Sequence, residues 1–281
     1  MGLFWTVVCR VGSLTGERLF FHFLGEKKNG LVTTMVAFGG AACLLWMAAA
    51  GSGHLRWVSA AFFPSLIYAA HFVLYVTAFS EGDVAAVSPW TNLTVLLLYL
   101  WNPFGGWLAG IGLTCFVIAM GLGVERGESR NFRPVLLMVA ACLVLAVGRQ
   151  ADVGQPPTYP LAYAASLFTC ISLWVAVMIL CLAQERAVVA LVRERPLWSL
   201  LSAITNAASY LTLVLLIHRL PLAALEALGS IAALLATAIG VVWLLERPGK
   251  RKMVASWLMQ VNTPGFEDIN ARTLANVSNG G

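Results

Sequence analysis

Apolar runs of about twenty residues, each closed by a short polar break, repeat along nearly the whole chain. Runs at 3–24, 31–50, 57–79, 84–101, 106–124, 134–150, 161–183, 197–217 and 222–245 match the roughly 20 residues that a bilayer-spanning helix needs. A tenth run, at 252–263, is shorter. The breaks, among them "GEKKNG", "NPFGG", "GQPPTYP" and "ERPGKRK", carry the Gly, Pro or charge that ends a helix. Strands are not indicated, and backbone groups inside a bilayer must be satisfied within their own segment, so the runs are read as helices. The pattern predicts an all-α polytopic membrane protein of about ten transmembrane helices, nine clear and the tenth short, with a polar tail over 264–281.

Composition strengthens this reading. Of 281 residues, 59% are hydrophobic and 11% charged, whereas a soluble domain carries about 25% charged residues. So few charges cannot cover a water-exposed globule. The first run has no basic leader and is broken by Arg10, so a cleaved signal peptide is not expected. All six cysteines lie within apolar runs, with no CxxC and no Cys/His cluster. They are read as small hydrophobes, and no metal or other cofactor is expected.

The net charge of +5 does not point to nucleic acid, because the basic residues sit in the breaks. Twelve Lys and Arg follow odd-numbered runs, against three (Arg56, Arg149 and Arg219) after even-numbered ones. That bias puts the odd-numbered loops in the cytoplasm of a multi-pass protein of the cell (inner) membrane.

Ionisable groups inside the runs carry the candidate chemistry, since a charge at a helix centre costs about 2.5–3.5 kcal/mol on insertion scales. Arg10 and Glu17 are seven residues apart. They therefore share nearly one helix face, about 10 Å apart along the axis, and that face should look into a cavity or onto another helix. Arg18 and His22 are expected to mark the cytoplasmic end by snorkelling. Glu226 lies early in run nine. It is either a coupling or substrate-contacting carboxylate, or one wetted at the outer interface and favoured by the helix dipole. His71 has Tyr68 and Tyr75 on its own face, as a cavity wall or around a hydrogen-bonded core histidine. Asn92, close to Ser88, Trp90 and Thr91, and Tyr210, close to Asn206 and Ser209, either contact substrate or bind helices together.

Two stretches resemble each other. A shift of 138 sets Ala85-Ala86 of "DVAAVSPWTNL" on Ala223-Ala224 of "PLAALEALGS", Ser88 on Glu226, and Asn92 on Ser230. A shift of 132 sets Gly16-Glu17-Arg18 opposite Gly148-Arg149-Gln150. The chain thus divides into two five-helix repeats, 1–124 and 134–263. Five being odd, the second enters the membrane inverted, as in many transporters. With the tight turn before "DVAAVSPWTNL", the helix end "LLERPGKRKMVASWL" and the five-helix spacing, the chain resembles the drug/metabolite transporter superfamily, in particular its EamA-like branch. It departs from that pattern at "NPFGGWLAG", where the family often has an acidic-basic pair, and in its short tenth helix.

The resemblance implies a ten-helix exporter. No HExxH, GxSxG or Walker A motif is present, so an enzyme is not expected and transport would be gradient-driven. The expected function is secondary transport of small amphipathic metabolites by alternating access, with Arg10, Glu17, His71, Tyr75, Asn92, Tyr210 and Glu226 lining the substrate site. The expected partners are a small-molecule substrate and the lipid bilayer, with the protein a monomer or homodimer. The alternatives are a membrane enzyme acting on lipid-linked substrates, with Glu226 or His71 as acid/base, and a non-transporting scaffold subunit.

Overall fold

A computed structural model describes residues 2–25, 29–101, 132–153, 159–217, 219–220 and 222–244. Runs five (106–124) and ten (252–263) and the tail at 264–281 lie outside these. The helices are α1 (Leu3–Gly25), α2 (Gly30–Gly51), α3 (Phe62–Glu81), α4 (Val84–Val87), α5 (Leu93–Trp101), α6 (Arg133–Val153), α7 (Pro160–Cys181), α8 (Glu185–Glu194), α9 (Pro196–Leu216) and α10 (Leu222–Val242). No strand occurs among the described residues.

Among the described residues, six spans are long and apolar enough to cross a membrane: 30–51, 59–81, 84–101, 133–150, 160–181 and 196–216. Helix α1 is long enough, at 23 residues or about 34 Å. What separates it from the six is charge, since Arg10, Glu17 and Arg18 fall in its middle. Helix α10 is apolar over Leu228–Val242.

Local chemistry explains the helix limits. Asn29 caps α2 by accepting from the Leu31 N–H at 2.9 Å, satisfying one of the donors left over at a helix start. Pro160 and Pro196 open α7 and α9, where the missing N–H costs nothing. Helices α2 and α7 end alike. Past α2, His54 N–H reaches back to Ala49 O, and Gly53 stands at φ 72°. Past α7, Gln184 N–H reaches Ile179 O, and Ala183 stands at φ 51°. Both are left-handed helix stops, and the second lacks glycine's freedom.

Two expectations change. Run four is not one uniform helix: Pro89 breaks it, and Ser88–Asn92 winds as a 3₁₀ turn between α4 and α5. Proline has no N–H to give to the carbonyl four residues back, and its ring crowds that carbonyl. Secondly, the break after run seven contains the helix α8. It is amphipathic, with Leu191 buried and the Arg186 and Arg193 side chains exposed.

Packing is paired across the bundle. Helix α1 lies against α9, α3 against α6, and α2 against α7. Beyond these, α2 touches α9, α3 touches α7, α1 touches α10, and α10 covers the 84–101 segment. Close approach relies on small residues. A Cβ on Gly30 would stand 2.0 Å from Thr77 Oγ1 and 2.7 Å from Thr77 Cα, and one on Gly40 2.8 Å from the Ala203 methyl. Where lipid replaces water, such contact is what associates helices.

Among the described residues, contacts gather several breaks at two ends. At one, Arg133 pairs with Glu81 at 3.3 Å, Asn29 Nδ2 donates to Gln184 Oε1 at 2.9 Å, and Arg195 donates to the Phe23 carbonyl. At the other, the Arg56 guanidinium lies 5.2 Å from the Tyr159 ring centre, and Val58 N–H donates to Ser166 Oγ at 3.0 Å. The first end joins breaks after odd-numbered runs, the second those after even-numbered ones.

Candidate functional site

A cavity of about 50 Å³ lies between α1, α3, the 84–101 segment, α6, α9 and α10. At about 10–15 Å³ per water it has room for three to five. Arg10, Glu17, His71, Tyr75, Asn92, Tyr210 and Glu226 all line it. Seven residues chosen from the sequence, spread over five runs, thus meet at one place. Arg18, Arg149, Thr91, Asn206, Ser209 and Cys142 share the wall with them.

From α1, the inward face carries the charges. Arg10 Nη1 donates to the Ser209 main-chain carbonyl, and to Ser209 Oγ at 3.0 Å. Glu17 is buried within reach of Arg10, Arg18 and Arg149, with the Ser209 side chain beside it. Arg18 departs from its expected snorkelling role. Only 3% exposed, it turns inward, with Nη1 donating to Gly229 O at 3.1 Å and Nη2 to Thr91 Oγ1 at 2.9 Å. It ties α1 to α10 and to the 3₁₀ turn at once. The reason is geometric: residue 18 lies about 10 Å short of the Gly25 helix end, too deep to reach water past neighbouring helices. His22, half-buried, instead bonds the Phe79 carbonyl through Nδ1 at 3.1 Å.

Arg149 is the second correction. It is not a loop charge, because α6 continues to Val153, and the residue is 5% exposed. Its Nε donates to Glu226 Oε1 at 2.6 Å and its Nη1 to the Tyr68 hydroxyl at 2.9 Å. Glu226 is therefore buried against Arg149 and not wetted at an interface. The signal for Arg149 lay downstream: Pro156-Pro157 ends the run, which leaves residue 149 more than a turn inside the helix.

On α3, His71 donates its Nδ1–H to the Ala141 carbonyl at 2.9 Å, fixing the ring while it faces the cavity. It is both a hydrogen-bonded core histidine and a cavity wall. Tyr75 stands 5.4 Å from the His71 ring centre, with Arg18 beside its hydroxyl. Tyr210 meets Tyr68 edge-on at 6.0 Å. Beside the proline break, Cys142 Sγ sits 3.4 Å from Trp90 O, so a thiol partners a carbonyl at the 3₁₀ turn. Among the described residues, no group of His, Cys, Asp and Glu has the arrangement of a metal site.

No family model matches the chain, and no curated protein does. A solved structure, described only as "Crystal structure of protein", is similar at a TM-score of 0.61 and 15% identity. The match covers 92% of this chain and 95% of that one. At that identity the likeness shows a shared helical fold over nearly the whole length.

Proposed function

We propose that the protein is a secondary transporter of the EamA-like type, exporting small amphipathic metabolites across the cell membrane by alternating access. The observation that carries this is the central cavity. Its wall draws on α1, α3 and the 84–101 segment from the first half, and on α6, α9 and α10 from the second. Polar and charged groups enclosed between two halves form a transport site, since rocking one half against the other exposes them to either side in turn.

The pairing of helices supports an inverted repeat. Exchanging the halves turns α1 into α6 and α3 into α9, so the α1–α9 and α3–α6 contacts exchange, as do α2–α9 and α3–α7. The α2–α7 contact, and that of α10 with the 84–101 segment, map onto themselves. The matching left-handed stops after α2 and α7 fit the same exchange. Grouping of breaks by odd and even number at opposite ends fits alternate crossing, and the excess of Lys and Arg puts the odd end in the cytoplasm.

Transport would be driven by a gradient, with the protons or ions of the Arg149–Glu226 and Glu17 region as coupling candidates. The test is solute movement in sealed proteoliposomes across a metabolite panel, with and without a proton gradient. Gradient-dependent movement of a subset of solutes, lost in Arg10→Ala, is expected. If no solute moves, and Arg10→Ala and Glu226→Gln leave every cellular phenotype intact, the reading fails.

A further inference from the structure

The charges around the central cavity do not cancel. Three guanidiniums, Arg10, Arg18 and Arg149, line it with two carboxylates, Glu17 and Glu226. Arg149 and Glu226 neutralise each other at 2.6 Å, so Glu17 alone stands against Arg10 and Arg18. Among the described residues that line it, guanidiniums thus outnumber carboxylates by one.

Hydrogen-bond donors are also in excess. Arg10 Nε, Arg18 Nε and Asn206 Nδ2 are buried and meet no acceptor among the described residues. All three residues line this cavity. A buried donor without an acceptor costs about 1–3 kcal/mol, more when charged. A fold that holds three of them around one space is short of acceptors there, and short of one negative charge.

We infer that the solute bound in this cavity is a small organic monoanion, whose carboxylate lies in the stretch between Arg10 and Arg18 and also accepts from Asn206. A carboxylate supplies several acceptor positions and the single missing charge, and it matches the planar guanidinium fork. A dianion would overshoot the surplus. A cation would meet two guanidiniums with only Glu17 free to receive it. Phe72, Tyr75 and Tyr210 give the rest of the solute an apolar wall. The inference rests on the transporter reading for the solute's passage, but not for its binding.

The test uses the full chain, purified in detergent, and follows thermal stabilisation by lactate. A neutral counterpart of equal size, lactamide, a cationic one smaller by one heavy atom, 1-aminopropan-2-ol, and the dianion sulfate are compared. Lactate should bind saturably and at least about tenfold tighter than either counterpart. Asn206→Asp, equal in size, supplies the missing charge from the protein and should weaken lactate by about tenfold or more. Glu17→Gln raises the surplus to two and should shift preference towards sulfate. Lactamide or 1-aminopropan-2-ol binding as tightly as lactate, or lactate failing to saturate, overturns the inference. The comparison of probes on the unmodified protein stands even if a variant does not fold. In proteoliposomes, lactate that binds while no solute of the metabolite panel crosses refutes transport and leaves the monoanion site standing. Preferential movement of the neutral or cationic probe does the reverse.

Discussion

Removing the carboxylate of Glu226 is expected to destabilise the protein through the charge it leaves behind. In the native fold Arg149 Nε donates to Glu226 Oε1 at 2.6 Å, with side-chain exposures of only 6% and 10%. Breaking a buried pair from one side costs about 3–5 kcal/mol, because the partner stays buried and charged. Arg149 keeps the Tyr68 hydroxyl at 2.9 Å and lies 5.5 Å from the centre of that ring, which favours the lower end. Glu226→Ala should therefore cost about 3 kcal/mol. Glu226→Gln retains an acceptor but no charge. Since charge-assisted hydrogen bonds are about twice as strong as neutral ones, it should cost about 1–2 kcal/mol. Converting Arg149 to Met in the Glu226→Ala background removes the orphaned cation and should recover much of the loss. Melting followed in detergent checks this: at about 2–4 °C per kcal/mol, Glu226→Ala should fall by roughly 6 °C or more. Glu226→Ala melting within a degree of the unmodified protein refutes the buried pair. So does a double variant no more stable than Glu226→Ala alone.

Smaller perturbations examine the other contacts. Thr91→Val removes the hydroxyl that accepts from Arg18 Nη2 at no cost in volume, and should cost about 1.5–3 kcal/mol in the same melting assay, as for hydrogen bonds to charged groups. Pro89→Ala restores the missing N–H in the 84–101 segment and favours a continuous helix; melting should hold or rise while transport slows in proteoliposomes, if the 3₁₀ turn acts as a hinge. Ala183→Gly relieves a left-handed residue at φ 51° and should raise stability by about 1 kcal/mol. Gly30→Ala drives a Cβ to 2.7 Å from Thr77 Cα and should cost about 1–3 kcal/mol.

Spans were legible in the sequence because a bilayer imposes one length and one composition on every helix. Expected runs 31–50, 161–183 and 197–217 differ from the helices Gly30–Gly51, Pro160–Cys181 and Pro196–Leu216 by two residues at most at either end. What escaped was structure that composition does not encode. Helix α8 has too little apolar surface to register as a span and instead spreads charge and Val/Leu over opposite faces. The 3₁₀ turn at Ser88–Asn92 hides inside a run whose hydropathy is unbroken, and Pro89 alone announces it. Interior prolines are tolerated in membrane helices when neighbours satisfy the freed groups, so the residue by itself does not say how the backbone responds.

The site followed a different rule, which decides how far such reading reaches. Glu17 and Arg10 were found because spacing fixes a helix face, and Glu226 because a carboxylate in an apolar run demands an explanation. The sequence reads Arg18 as snorkelling to the cytoplasmic end and Arg149 as a charge of the break after run six. The cost of burying either is set by neighbours, not by position along the chain. Arg18 has Gly229 O and Thr91 Oγ1 within 3.1 Å, and Arg149 has Glu226 and Tyr68, so each finds inside the bundle what snorkelling would have found outside. These partners lie 211, 73, 77 and 81 residues away in the chain. A buried charge in a membrane helix is thus legible as a demand, and only the packing of distant helices reveals how it is met. The α9 and α10 surfaces accept from Arg10 and Arg18, and these bonds offset the cost of holding such charges inside an apolar bundle.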